Sequence, residues 1–215
     1  MKPATLRLMK AAVFVLCLVP LAKLALETFG LFGMSLGPNP VEELIHRCGK
    51  WGLNLLLITL AVTPLRRITG WNAAIRFRRM LGLFAFFYIL LHFFMYAGVD
   101  QRFELAYIIE DIVERPYITL GMTGLLLLVP LAVTSTNGMM RRLGRKWQKL
   151  HRLIYPIAIL GVWHFWWQVK QDILEPVIYA AILALLLGVR VYYARKRKRR
   201  TVTSPVEENL NSEVA

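Results

Sequence analysis

The side chains most able to do chemistry in this sequence are four histidines, His46, His92, His151 and His164. His92 and His164 fall inside long apolar stretches, His151 stands at the end of one, and His46 is predicted to lie at a membrane interface. An ionisable side chain is costly inside a membrane-spanning segment, so one found there usually serves a function. The depth of each histidine along its stretch decides which of them can meet.

His92 and His164 are predicted to lie at similar depths. His92 comes eight residues before Asp100 and His164 comes six residues before Lys170, which at 1.5 Å per helical residue is roughly 12 Å and roughly 9 Å from the same polar boundary. Two imidazoles that face each other from two helices suit a porphyrin held between them, since iron with two axial histidines carries electrons without an open substrate site. The spacing predicts a heme b site on this pair; the alternative is a hydrogen bond between helices.

A second, inner site is indicated by His151. It lies thirteen residues before His164, about 20 Å deeper along the same helix. The matching positions on the other helix are Arg78 and Arg79 rather than a histidine. The inner site is therefore predicted to hold a second heme with one non-histidine ligand, a flavin nucleotide whose phosphate contacts the arginines, or a lipid head group.

Six apolar stretches organise the chain, whose mean hydropathy is +0.49 and whose hydrophobic residues make up 57%. A soluble domain of 215 residues would be more polar, and each stretch has the length of about 20 residues that crosses a bilayer. The sequence predicts an all-α integral membrane bundle of six transmembrane helices, at roughly 11–28, 47–65, 80–99, 117–134, 151–169 and 174–194.

The net charge of +14 follows the predicted membrane topology. When the connections are assigned alternately to two sides, 21 of the 27 Lys and Arg residues fall on one side and ten of the 13 Asp and Glu residues on the other. Cytoplasmic loops carry the excess of Lys and Arg. The pattern therefore places both termini in the cytoplasm, and it assigns the basic run 195–200 to a cytoplasmic anchor rather than to nucleic acid.

The chain is predicted to form one membrane domain, 1–195, followed by a basic and then polar disordered cytoplasmic tail, 196–215. No internal repeat is apparent. The chain has no GxGxxG motif and no long soluble segment, so it lacks a nucleotide-binding domain for NAD(P)H. The longest outer connection, 100–116, has the pattern of a short amphipathic helix, which is either an interfacial connector or a docking surface for an outer partner.

Four segments that together cover nearly the whole chain resemble a known family: 39–67, 76–96, 114–136 and 141–165. The most specific stretch within them is LGRKWQKLHRLIY. On these segments the sequence resembles the heme-binding subunit family of the bacterial periplasmic protein-methionine-sulfoxide reductase system, also called MsrQ or YedZ. That family belongs to the ferric-reductase-like transmembrane domains, which are relatives of the NADPH oxidase membrane core.

The resemblance implies heme b on His92, His151 and His164, with FMN as a further cofactor. It implies an electron-transfer subunit in the bacterial inner membrane, rather than a stand-alone catalyst. The electrons would come from the quinone pool or a cytoplasmic flavin reductase. They would pass to a periplasmic molybdopterin-containing methionine-sulfoxide reductase, which repairs oxidised proteins under oxidative stress. Ferric-reductase relatives carry two histidines on each of two helices, and this chain departs from that pattern at Arg78 and Arg79.

Three alternatives remain at this point. A ferric-chelate reductase or a general cytochrome b would differ only in the outer electron acceptor. A small transporter with histidines in a proton path is more remote, since the helix interiors have essentially no Asp or Glu, and transporters commonly use such residues. A purely structural assembly subunit would be colourless.

Overall fold

The computed structural model describes residues 2–169 and 172–213, with side chains up to residue 196. In that part of the chain every regular element is helical: α1 (Pro3–Thr28), α2 (Pro40–Thr69), α3 (Arg78–Phe94), α4 (Leu105–Glu114), α5 (Pro116–Val133), α6 (Asn137–Leu143), α7 (Arg145–Leu150), α8 (Ile154–Gln168) and α9 (Leu174–Glu213). The predicted all-α class is confirmed. The side chains of 197–215 lie outside the description, and the disordered tail stays a prediction.

Five helices in the described part are long and apolar enough to cross a bilayer: Pro3–Thr28, Pro40–Thr69, Arg78–Asp100, Pro116–Val133 and Leu174–Lys196. The third span includes a π-helical continuation of α3. The sequence predicts six spans, and the difference lies at 151–169. There the chain forms a 3-10 turn, His151–Leu153, and then α8 with 15 residues, which alone is shorter than the about 20 residues of a typical span.

The bounds of the spanning helices follow from local sequence signals. α2 and α5 begin at Pro40 and Pro116, where proline fits because the first helical N–H has no partner within the helix. α2 ends at Thr69 and is capped by Gly70, whose φ of 71° is the left-handed conformation that glycine adopts without strain. The N–H of Gly70 donates to the carbonyl of Arg66 at 3.0 Å and closes the last turn.

Four helices form a ring that positions the histidines. α2 packs along α3, α5 packs along α8, and the pairs meet through contacts of α2 with α8 and of α3 with α5. α3 and α8, which carry His92 and His164, therefore stand at opposite corners of the ring. α2 lies closest to the core, with Leu56 and Leu60 almost fully buried, and α9 covers α2 and α8 from outside.

α1 is fastened to this ring by Tyr88 of α3. The Tyr88 hydroxyl donates to the carbonyl of Cys17 at 2.8 Å and accepts from the N–H of Leu21 at 3.1 Å. These two backbone groups would bond each other in a regular helix, and Pro20 stands between them. The buried Tyr88 hydroxyl is thus inserted into α1 where proline disturbs the helix.

The outer connection contains the predicted amphipathic helix, α4. Its Ile108 and Asp111 face the bundle, while Leu105, Ile109 and Val113 are exposed. Asp111 accepts hydrogen bonds from the hydroxyl of Tyr96 at 2.9 Å and from the side chain of Gln101 at 3.2 Å. A buried carboxylate therefore holds α4 against the outer end of the α3 span.

Candidate metal centre

His92 is held in place by the neighbouring helix α2. Its Nδ1 lies 2.8 Å from the carbonyl oxygen of Ile45. Because a carbonyl only accepts, Nδ1 carries the proton and Nε2 keeps its lone pair. The ring rests on Gly49, where an added Cβ would lie 3.1 Å from Nδ1. This arrangement fixes the tautomer and orientation that a metal-binding imidazole needs.

His164 is held in the same way by α5. Its Nδ1 lies 2.6 Å from the carbonyl oxygen of Tyr117. Its ring rests on Gly121, where a Cβ would lie 3.0 Å from the imidazole atoms. Nδ1 again carries the proton, so Nε2 is again the nitrogen with the lone pair.

The two imidazoles are spaced as two axial ligands of one metal would be. Their ring centroids are 6.1 Å apart and their planes meet at 73°. A metal–imidazole bond of about 2.0 Å, with the ring centre about 1.1 Å behind the nitrogen, puts the centres of two opposed rings about 6.2 Å apart. In the described part of the chain no group of three or more His, Cys, Asp or Glu is arranged for a metal ion. Two opposed imidazoles suit an iron whose other ligands come from a macrocycle.

His92 and His164 line a cavity of about 970 Å³ within the four-helix ring. Cofactor pockets commonly measure about 300–1,000 Å³ and are mostly apolar. The inner wall is apolar: Leu53, Leu56, Ile89, Leu125 and Ile157. The cavity is thus large enough for a porphyrin and offers the surface on which its ring would pack.

The outer end of the cavity is lined by charged side chains. Lys50 Nζ lies 2.6 Å from Glu175 Oε2 and joins α2 to α9. Arg115 Nε lies 3.1 Å from Asp111 Oδ1 and joins the start of α5 to α4. An ammonium has three N–H donors and a guanidinium five. The cavity lining also includes Arg47 and the carboxylates Glu42, Glu43, Asp100 and Asp172. The propionates of a heme would therefore need Arg47, Lys50 or Arg115 as partners among carboxylates, while the paired imidazoles and the apolar wall fit the group.

His46 also lines the cavity, although the sequence places it at the membrane interface without a role in the site. Gln168 Nε2 donates to His46 Nε2 at 2.5 Å and joins α8 to α2. His46 precedes Gly49 by three residues and Gln168 follows His164 by four. The pair therefore lies about one helical turn outward of the two axial rings.

His151 lies away from this cavity, at the inner end of the bundle. Its ring stacks on Trp147 with centroids 3.8 Å apart, and its Nδ1 donates to the Trp147 carbonyl at 3.1 Å. The hydroxyl of Ser135 lies 3.4 Å from Nε2 but donates its proton to the carbonyl of Leu131 at 2.7 Å. The carbonyl of Leu131 is a second backbone acceptor beside the His151 ring, so the structure offers an acceptor for a proton on either ring nitrogen.

The two candidate inner arginines have different surroundings. Arg79 Nη1 donates to the side chain of Asn137 on α6. Arg78 lies within electrostatic range of His151. The structure thus brings Arg78 toward the inner histidine and engages Arg79 with the connection between α5 and α8.

Comparison with known proteins gives the family. A family model described as ferric reductase like transmembrane component matches residues 48–162. Three relatives are named protein-methionine-sulfoxide reductase heme-binding subunit MsrQ. The one from Xanthomonas campestris pv. campestris (strain 8004) is 55% identical over 195 residues, which is 89% of either chain. Those from Rhodospirillum rubrum and Herminiimonas arsenicoxydans are 54% and 47% identical, over 90% and 92% of this chain and 92% and 91% of their own.

The chain belongs to the MsrQ family. The resemblance predicted from the sequence is thereby confirmed. The ferric-reductase match begins at Cys48, next to the Gly49 that contacts the His92 ring, and ends two residues before His164. It spans α3, α5 and most of α8. The MsrQ relatives are similar along nearly their full length, so the likeness extends beyond this match and includes His164.

Proposed function

We propose that this MsrQ-family chain is the heme-binding membrane subunit of a protein-methionine-sulfoxide reductase system and transfers electrons through heme b held by His92 and His164. The observation that carries the proposal is the matched setting of the two imidazoles, 6.1 Å apart within a cavity of cofactor size. The names of the relatives support the same cofactor.

The residues of this chain prepare the site. Ile45 and Tyr117 hold the Nδ1 protons of the two axial histidines, so both Nε2 lone pairs are available without reorganisation. Heme with two axial imidazoles supplies one-electron transfer and has no open coordination position. The apolar cavity wall keeps water from the ring and, with the axial ligands, sets the reduction potential.

The bundle is proposed to cross the bacterial inner membrane six times with both termini in the cytoplasm. α8 and the turn His151–Leu153 together reach about 28 Å, close to the about 30 Å of a hydrocarbon core. The distribution of Lys and Arg supports this orientation. His92 and His164 then lie in the periplasmic half and His151 at the cytoplasmic side.

The inner carrier is proposed to use His151 together with Arg78 and Arg79. A His151 ring whose Nδ1–H is held by the Trp147 carbonyl presents Nε2 as an axial ligand for a second heme, and the arginines suit the phosphate of FMN. The electron donor would be the quinone pool or a cytoplasmic flavin reductase, and the acceptor a periplasmic molybdopterin-containing methionine-sulfoxide reductase. The outer acceptor distinguishes this role from that of a ferric-chelate reductase or a general cytochrome b.

Reconstitution tests the direction of transfer. The purified chain is placed in liposomes, reduced with dithionite under anaerobic conditions, and mixed with the periplasmic reductase and a methionine-sulfoxide peptide. We expect the heme absorbance to return to its oxidised form only when reductase and peptide are both present, with one sulfoxide reduced for every two electrons. Equal reoxidation by ferric chelate alone, with none by the reductase, would favour a ferric-chelate reductase.

A further inference from the structure

The hydrogen bond between His46 and Gln168 joins α2 to α8 at the outer end of the histidine cavity. His46 directly follows Ile45, whose carbonyl accepts the Nδ1 proton of His92. Gln168 follows His164 by four residues on α8. His46 also lies within electrostatic range of both His92 and His164. No role considered so far uses this polar pair, although both of its members line the cavity.

The bond to Gln168 fixes which nitrogen of His46 carries the proton. Gln168 Nε2 lies 2.5 Å from His46 Nε2. Because an amide nitrogen only donates, His46 Nε2 accepts, and the proton of the neutral imidazole is on Nδ1. His46 makes no other side-chain hydrogen bond to the described residues, whereas the Nδ1 protons of His92 and His164 are both engaged. His46 therefore brings to the cavity lining one N–H donor that the described residues do not use.

The cations at the outer end of the cavity are less available than their number suggests. Each of the three among the described lining residues is already paired with a carboxylate: Arg47 with Glu27 and Glu43, Lys50 with Glu175, and Arg115 with Asp111. A further anion would compete with a carboxylate for each of these cations. The Nδ1–H of His46 has no such competitor among the described residues, and a hydrogen bond to an ionised acceptor is stronger than one between neutral groups.

The propionates are the anions that a heme would bring into this cavity. The inner wall is apolar and includes Leu53 and Leu56, where a carboxylate without a partner would be costly. The propionate edge of a heme is therefore expected at the outer end. His46 lies on that side, about one helical turn outward of the rings of His92 and His164.

We propose that His46, oriented by Gln168, donates its Nδ1–H to a propionate of the heme held by His92 and His164. The inference rests on the proposed heme site and adds a contact that axial ligation does not supply. Two axial bonds leave the macrocycle free to turn about the line through the two imidazoles, and a hydrogen bond at its edge fixes that angle. A donor beside the propionate also offsets its negative charge and so favours the reduced iron.

Titration of the full-length apoprotein in detergent with hemin and with hemin dimethyl ester tests the proposal. The ester has the same ring and iron but no propionate charge, so the ratio of the two dissociation constants isolates the propionate contacts. His46→Leu removes the donor, Gln168→Leu removes the group that orients it, and His46→Gln retains an N–H donor. Asn39→Leu is the matched control, since Asn39 is an exposed polar residue at the outer end of α2 that does not line the cavity.

We expect the wild type to bind hemin more tightly than the ester. His46→Leu should reduce this preference about tenfold, the effect of losing one hydrogen bond to a charged group. Gln168→Leu should reduce it about threefold, His46→Gln less than His46→Leu, and Asn39→Leu less than about twofold. The midpoint potential of bound hemin should be lower in His46→Leu than in the wild type, whereas that of the bound ester should be the same in both.

A His46→Leu protein that keeps the wild-type preference, or that loses affinity for hemin and ester equally, would show that His46 only joins α2 to α8, and the proposal would be wrong. If His46→Leu does not fold, Gln168→Leu decides in the same way, because it leaves His46 in place. A low-spin spectrum in each variant that binds hemin shows that axial ligation is intact. A wild type that binds neither porphyrin would overturn the heme site itself and this inference with it.

Discussion

His92 and His164 occupy equivalent settings on two separate helix pairs. Each ring donates its Nδ1–H to a backbone carbonyl 47 residues earlier in the chain. Each ring also rests on a glycine one turn past that carbonyl, Gly49 for His92 and Gly121 for His164. The two glycines and the two histidines are separated by the same 72 residues. The α2–α3 pair and the α5–α8 pair thus hold their histidines by the same construction.

Replacement of either glycine should disturb heme binding. Gly121→Ala places a Cβ 3.0 Å from the ring of His164, so the ring must move and its bond to Tyr117 weakens. Loss of a partner that orients a metal-binding histidine costs about 10- to 100-fold in affinity. Heme bound per protein, measured by pyridine hemochrome, should fall accordingly. Gly188→Ala on α9 is the control, because Gly188 does not line the cavity and nothing lies within 4 Å of its added Cβ. Equal heme content in the two variants would contradict the proposed contact between Gly121 and the His164 ring.

Removal of the Tyr88 hydroxyl should loosen α1 without affecting the heme. Tyr88→Phe leaves Cys17 and Leu21 without their shared partner, which we expect to lower the free energy of unfolding by about 1–3 kcal/mol. Thermal unfolding in detergent measures this change. Tyr107→Phe on the exposed face of α4 should leave it unaltered. A Tyr88→Phe protein as stable as the wild type would mean that the α1 backbone closes its own hydrogen bond.

His151→Ala should remove the inner carrier and spare the outer heme. His151 lies outside the cavity of His92 and His164, so its loss leaves their axial ligation unchanged. If the inner carrier is a second heme, total heme falls by roughly half; if it is a flavin, the flavin content falls instead. Loss of the whole heme spectrum in a folded His151→Ala protein would contradict two separate sites.

α4 is expected to contribute to docking of the periplasmic partner. Glu110 and Glu114 are exposed beside its apolar face, and they lie on an outer segment that Asp111 fastens to Tyr96 at the heme cavity. Charge reversal, Glu110→Lys with Glu114→Lys, should raise the KM for the reductase several-fold at low salt and have less effect at high salt. The heme spectrum should stay unchanged. Lys10→Glu at the opposite end of the bundle is the control. A KM of the double variant equal to that of the wild type would show that α4 is not part of the docking surface.

The sequence predicts the pairing of His92 with His164 because depth along a helix depends only on residue count. The sequence does not predict that the two rings pack on Gly49 and Gly121. That contact becomes visible only when α2 and α5 are placed beside the helices that carry the histidines. For the same reason His46 is predicted to be interfacial, whereas its contact with Gln168 depends on how α2 meets α8.

The inner end is less predictable. The adjacent positions of Arg78 and Arg79 in the sequence predict one shared inner site, yet Arg79 bonds Asn137 while Arg78 approaches His151. Side-chain direction around a helix changes by about 100° per residue, so neighbours separate once the connections are folded. The apolar stretch at 151–169 likewise gives a helix of only 15 residues because its first turn is 3-10.

The most direct test of the account is the visible spectrum of the oxidised and dithionite-reduced protein, recorded for the wild type, His92→Ala, His164→Ala and His46→Ala. We predict a low-spin b-type spectrum in the wild type and in His46→Ala. The outer-heme component should be lost in both His92→Ala and His164→Ala. A full low-spin spectrum that survives either of those two substitutions, or a wild-type protein that binds no heme after reconstitution, would contradict electron transfer through a heme held by His92 and His164.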